Sequence, residues 1–200
     1  MSNGSATKAR TGRDRIRAAF GGDVPDKVPR FDQTVTMEVA SAAMGRDALV
    51  GGGTLRFLEV EARFDGPDAA AEFEERMMRD VAEFYVRLGY DMARLPWRET
   101  RTPSARIDQC TYLFGDPEKR GPWNIYRYDR DTCNWHQADS WLAGGDVDRL
   151  AAWLREQNES WEGPDTDPSR MDDVRRFRRL LPDGMAVCDT VGYLGIPMYE

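Results

Sequence analysis

Phe73, Met77, Val81, Phe84 and Leu88 recur at intervals of four, four, three and four residues along an otherwise charged stretch. That is the period of an α-helix with one apolar stripe. Pro67 suits a first helical turn and Gly89 suits the position just past the last one. The spacing therefore predicts a helix over Pro67 to Leu88, with its Met and aromatic residues in a core. Tyr90-Asp91-Met92-Ala93-Arg94-Leu95 follows at once as a short strand and stops at Pro96. A long helix delivered straight into a strand constrains the chain to the α/β class, where a parallel sheet needs helices on its faces.

The flanking segments extend this pattern. Ile16, Ala19 and Phe20 share a helical face that Gly21 ends, and Pro25-Asp26-Lys27 leads into an expected first strand, Val28 to Asp32. Thr36 to Met44 reads as helical, with Met37, Ala40 and Met44 on one side. Gly51-Gly52-Gly53 has no Gly-Lys-Ser/Thr after it, so it reads as a flexible loop rather than a phosphate cradle. Further on, a helix is expected from Asp146, with Val147, Leu150, Ala151 and Leu154 on its face. A loop covers Gly163 to Pro168, and Ser169-Arg170-Met171-Asp172 has a capping-box pattern before Val174, Phe177, Leu180 and Leu181. Pro182-Asp183-Gly184 then turns into a third parallel strand, Met185 to Cys188.

No helical pattern follows that strand, and a closed (β/α)₈ barrel takes roughly 250 residues. The expectation is the N-terminal part of a (β/α)₈ TIM barrel over residues 15–200, stopping in mid-fold, after a disordered tail at 1–14. Residues 107–141 interrupt it. Ile107 to Phe114 reads as one strand, and Trp123 to Tyr128 and Thr132 to His136 flank Asp129-Arg130-Asp131 as a hairpin. The expectation is an inserted antiparallel excursion in which Trp123, Trp135 and Trp141 pack.

Composition narrows the function classes. A net charge of −7, from 35 acidic and 28 basic residues, argues against nucleic-acid binding. The basic run Lys8, Arg10, Arg13, Arg15 and Arg17 reads as a solvated helix face. No apolar stretch reaches the roughly 18 residues of a membrane span. Three widely spaced cysteines, Cys110, Cys133 and Cys188, with no secretory leader, point to the cytoplasm.

Arg15 to Gly22 followed by Pro25-Asp26-Lys27-Val28-Pro29 resembles the opening of the uroporphyrinogen decarboxylase superfamily. Leu88-Gly89-Tyr90-Asp91 before the second strand, and the excursion from Gly121-Pro122-Trp123 to Trp135, are similar to the same family. The resemblance implies a (β/α)₈ barrel with its cleft at the C-terminal ends of the strands. It also implies one of two activities: decarboxylation of porphyrinogens in tetrapyrrole biosynthesis, or methyl transfer between a small methylated compound, a corrinoid protein and a thiol. The decarboxylase signature Arg-Gln-Ala-Gly-Arg is matched here by Asp32-Gln33-Thr34-Val35-Thr36. Gln33 agrees, but Asp32 and Thr36 replace the arginines that meet substrate carboxylates, and Asp repels what Arg attracts. The expected branch is therefore the methyltransferase type, with porphyrinogen decarboxylation, or a non-catalytic barrel acting as a binding module, as the alternatives.

In such a barrel the chemistry sits at strand ends. Asp32 and Gln33, after the first strand, are the candidate catalytic residues, with Asp32 as general base or cation partner. Arg94 and Trp97 after the second strand, and Asp189 and Tyr193 after the third, are the candidate substrate-binding residues. Arg94 reads as an anion clamp or as the ion partner of a carboxylate such as Asp32. Asp91 lies early in its strand and reads as structural. Cys133 and His136 read as a polar hairpin tip rather than a zinc site, so no metal ligand is assigned within these residues. The family's zinc, if used, is expected on His and Cys ligands beyond Glu200. The expected partners are a small-molecule substrate and a corrinoid protein, with a homodimer formed through the open edge of the third strand.

Overall fold

The computed structural model describes residues 11–32, 35–119, 121–160 and 171–188. They form a mixed α/β structure with six helices, one parallel and one antiparallel sheet, and no closed barrel among them. The chain divides into two compact units, one from residues 11–50, 75–97 and 171–188, the other from 51–74 and 98–160.

The first unit begins with α1 (Gly12–Phe20), opened by a capping box between Thr11 and Asp14. Its buried residue is Ala18, while Phe20 is 85% exposed, so the expected Ile16-Ala19-Phe20 face is rotated. Gly12 sets that rotation. A Cβ there would lie 2.6 Å from the carbonyl oxygen of Asp91 and 2.8 Å from its Cα. Thr36 caps α2 (Met37–Met44), which buries Ala40 and Met44 and ends at Gly45 with φ 72°. α4 (Pro67–Arg87) follows the expected stripe and buries Met78, Ala82 and Tyr85 beside it. From Glu75 onward it belongs to this unit. β1 (Met92–Arg94) pairs in parallel with β6 (Ala186–Cys188), in register Met92 to Ala186 and Arg94 to Cys188. α6 (Asp172–Arg179) precedes β6 and buries Phe177 completely. Met171 stands at its N-cap without a side-chain cap bond, and the expected capping serine, Ser169, lies outside the described residues, as does the 163–168 loop.

The expected first strand is not a strand. Residues 28–32 form no regular element, and one main-chain bond joins them to the β1 side, the Asp91 N–H donating to the Arg30 oxygen at 2.9 Å. Pro29 has no N–H to give to a ladder, which limits pairing here.

The second unit holds α3 (Gly52–Asp65), four strands and α5 (Val147–Glu159). The glycines expected to form a loop instead open α3, with Gly51 as its N-cap. Packing explains the choice. A Cβ on Gly53 would strike the oxygen of Cys133 and come within 2.6 Å of Trp135 N and 2.8 Å of Asn134 Cα. The sheet runs β2 (Ala105–Asp108), β3 (Thr111–Phe114), β4 (Asn124–Asp129), β5 (Asn134–Ser140), all antiparallel. The single strand expected over Ile107 to Phe114 is broken because Asp108 Oδ1 accepts from Cys110 N at 2.8 Å, a side-chain-closed turn. β4 and β5 are the expected hairpin. α3 lays Phe57 and Val60 on Tyr112, Phe114 and Trp135, with Phe57 stacked on Tyr128 at 4.5 Å and 5°. Trp135 and Trp141 are both buried and Trp123 is half-buried, so all three pack. α5 buries none of the face expected of it.

Three buried carboxylates pin loops by the same device. Asp91 accepts from Arg30 N (2.8 Å), Asp80 from Leu49 N (2.9 Å) and Glu59 from Glu99 N (2.9 Å). Each also faces a guanidinium, from Arg15 (2.9 Å), Arg46 (2.8 Å) and Arg98 (2.7 Å) respectively. A carboxylate satisfied by a backbone N–H and an arginine is tolerated in a core where a bare one is not.

Candidate active site

The carboxyl end of β1 gathers two of the expected site residues around a third that the sequence did not single out. α4 carries Tyr85 inward, 4% exposed, where its ring meets Phe84 at 5.7 Å and Tyr90 at 5.4 Å. A buried phenol needs a hydrogen-bond partner. The Tyr85 hydroxyl donates to the main-chain oxygen of Asp32 at 3.2 Å and lies beside the backbone of Arg94, which eases its ionisation. It thus ties the end of the 28–32 segment to the end of β1. Burial, and then the negative charge of Asp32, push the Tyr85 phenol up to about 12, against the opposing pull of Arg94. One carboxylate and one guanidinium therefore act on the same hydroxyl.

Asp32 and Arg94 are half-buried, and Trp97, three residues beyond Arg94, is 60% exposed. Gln33, Asp189 and Tyr193 lie outside the described residues. Nearby, Pro29, Arg30, Phe31, Leu88 and Tyr90 line an open hollow, with Arg30 donating to the Gly89 oxygen at 2.6 Å. Opposite charges acting on one buried hydroxyl, with aromatic rings close by, suit a small ligand with a polar or charged group.

The amino end of β1 is locked rather than open. Asp91, 3% exposed, is held by Arg15 and Arg30, and the Arg15 guanidinium also binds both oxygens of Asp26, at 2.8 and 2.9 Å. Burial pushes the Asp91 carboxyl up. The Arg30 N–H, the Arg15 guanidinium and the Lys27 charge outweigh it and hold the carboxyl below its ordinary value. Arg15 is thus an ion-pair residue with its side chain 14% exposed, not part of a solvated basic face.

Among the described residues, no group of three or more His, Cys, Asp or Glu is placed to hold a metal ion. His136 is exposed on β5 opposite Arg127, and Cys133 occupies the β4–β5 turn at φ 52° with its Sγ 3.8 Å from the Arg130 oxygen. The described residues do not fit a zinc-binding set. No described helix is long and apolar enough to cross a membrane.

Tyr85 left a faint signal in the sequence. It stands next to Phe84 on the apolar stripe, and a tyrosine there announces a buried hydroxyl without saying what it bonds. No protein-family model, no curated protein and no solved structure matches this chain.

Proposed function

We propose that this chain is a uroporphyrinogen decarboxylase-like (β/α) barrel protein that transfers a methyl group from a small methylated compound, with a corrinoid protein as its partner. The observation that carries this reading is the charge balance around Tyr85: Asp32 on one segment and Arg94 on the other. A porphyrinogen is a polyanion and calls for arginines on both sides of the cleft. Asp32 supplies the opposite sign. A carboxylate there suits a donor that carries positive charge, such as a methylated ammonium or sulfonium. Arg94 then holds an anionic group of the same ligand, Trp97 covers its apolar part, and Tyr85 keeps the two charged segments at fixed spacing.

The corrinoid partner supplies the methyl acceptor.

The test uses the full chain with free cob(I)alamin and a panel of methylated ammonium and sulfonium compounds. Methylcobalamin accumulating with one donor supports the reading. Formation of coproporphyrinogen from uroporphyrinogen by the same preparation would replace it with decarboxylation. Saturable ligand binding without either product would leave a binding module.

A further inference from the structure

α5 is amphipathic, yet it buries no residue. Val147 is 72% exposed and Leu154 50%, with Leu150 and Ala151 half-buried between them. At 3.6 residues per turn these four form one stripe about two turns long. A different side of the helix rests on its own unit. Arg149 donates to the Trp141 oxygen at 2.8 Å and lies over the Trp141 ring, and Trp153 meets that ring at 5.7 Å. The stripe is therefore an outward apolar face on a helix that is already anchored.

Charge identifies what fits it. Asp148 and Arg155 flank the stripe on the same side, seven residues apart, with the Arg155 Nε–H donating to the Ala151 oxygen of its own helix at 3.2 Å. Placed parallel about a twofold axis, two such helices would leave their Asp148 and Arg155 flanks on opposite sides of the seam, where they do not meet. Placed antiparallel about a twofold axis near Ala151, they set Asp148 of each copy against Arg155 of the other. The same register brings Val147 of one copy towards Leu154 of its partner. A surface that is complementary to itself under a twofold axis is the requirement for an isologous dimer.

We propose that α5 is a self-pairing surface, through which two copies of this chain dock antiparallel by Val147, Leu150, Ala151 and Leu154, registered by Asp148 and Arg155. One short helix offers less than the roughly 800 Å² per partner of a stable interface, so the dimer is weak and concentration-dependent.

Sedimentation equilibrium of the full chain from about 10 µM to about 1 mM tests it. The average mass should rise towards twice that of the monomer. Val147→Asp should abolish the rise. An acid in the first turn favours the helix, and an unchanged circular dichroism spectrum would confirm that α5 remains. Asp148→Arg and Arg155→Asp should each weaken dimerisation by about tenfold, and the double reversal should restore it. A monomer throughout the range overturns the proposal. So does a dimer indifferent to Val147→Asp, or a double reversal no tighter than the single ones.

Discussion

Asp91 Oδ1 lies 2.9 Å from the guanidinium of Arg15, 76 positions earlier in the chain, while its Oδ2 accepts from the main-chain N–H of Arg30. One side chain therefore fastens α1 and the 28–32 segment to the start of β1. Replacing it with alanine leaves a buried N–H and a guanidinium without their acceptor. Asp91→Ala should cost about 2 kcal/mol, read as a lower urea midpoint at unchanged slope. A midpoint unchanged from wild type would mean the contact adds nothing.

The same carboxylate sets an acid limit. Its value is held below the ordinary one, despite the upward push of burial, by the Arg30 N–H, Arg15 and Lys27. Asp26 is lowered too, first by its hydrogen bonds to Arg15. A group with a depressed folded value stabilises fully above its unfolded value, about 3.9 for Asp. That stability is lost as pH falls through the folded value. Urea midpoints should therefore be level from neutral pH towards about 5 and drop below about 4. Asp91→Asn should flatten the drop, and an equally steep drop in that variant would assign acid sensitivity elsewhere.

Gly53 offers a test of sign. In an open helix, alanine for glycine gains about 1 kcal/mol. Here the added Cβ would meet the Cys133 oxygen and approach Asn134 Cα to 2.8 Å, so α3 would have to move off β5. Gly53→Ala should lower the melting temperature instead of raising it. A raised one would mean α3 does not lie so close to β5.

Tyr85 should be visible by ultraviolet titration. Seven tyrosines are present, and Tyr85 and Tyr112 are pushed up to about 12, each mainly by burial. Both should ionise after the exposed phenols. Tyr85→Phe should remove amplitude only from that late phase and cost about 1 kcal/mol of stability. Loss of amplitude near pH 10 would place its hydroxyl in water.

Local pattern made much of this fold legible, and long-range packing hid the rest. The α4 stripe, its bounding Pro67 and Gly89, and the turn between β4 and β5 are written in adjacent residues. The glycines that open α3 look like a loop because glycine disfavours helix in isolation. Their reason is the backbone of β5, some 80 residues away. Ile107 to Phe114 looks continuous until the Asp108 side chain closes a turn within it. Arg15 reads as surface charge because its partners, Asp26 and Asp91, are distant in sequence. Of the candidate site, Arg94 stands at the end of a real strand, Asp32 follows from an expected strand that the structure does not form, and the Tyr85 hydroxyl between them comes from a helix read only as core.

The proposal that methyl transfer takes place beside Asp32 is tested most directly by comparing wild type with Asp32→Asn. The measurement is the initial rate of methylcobalamin formation from cob(I)alamin and a methylated ammonium or sulfonium donor. The account predicts steady formation by the wild type and a rate at least about tenfold lower in the variant, a loss of roughly 1.4 kcal/mol of transition-state stabilisation. Equal rates in the two proteins, or none in the wild type with any donor, would contradict it.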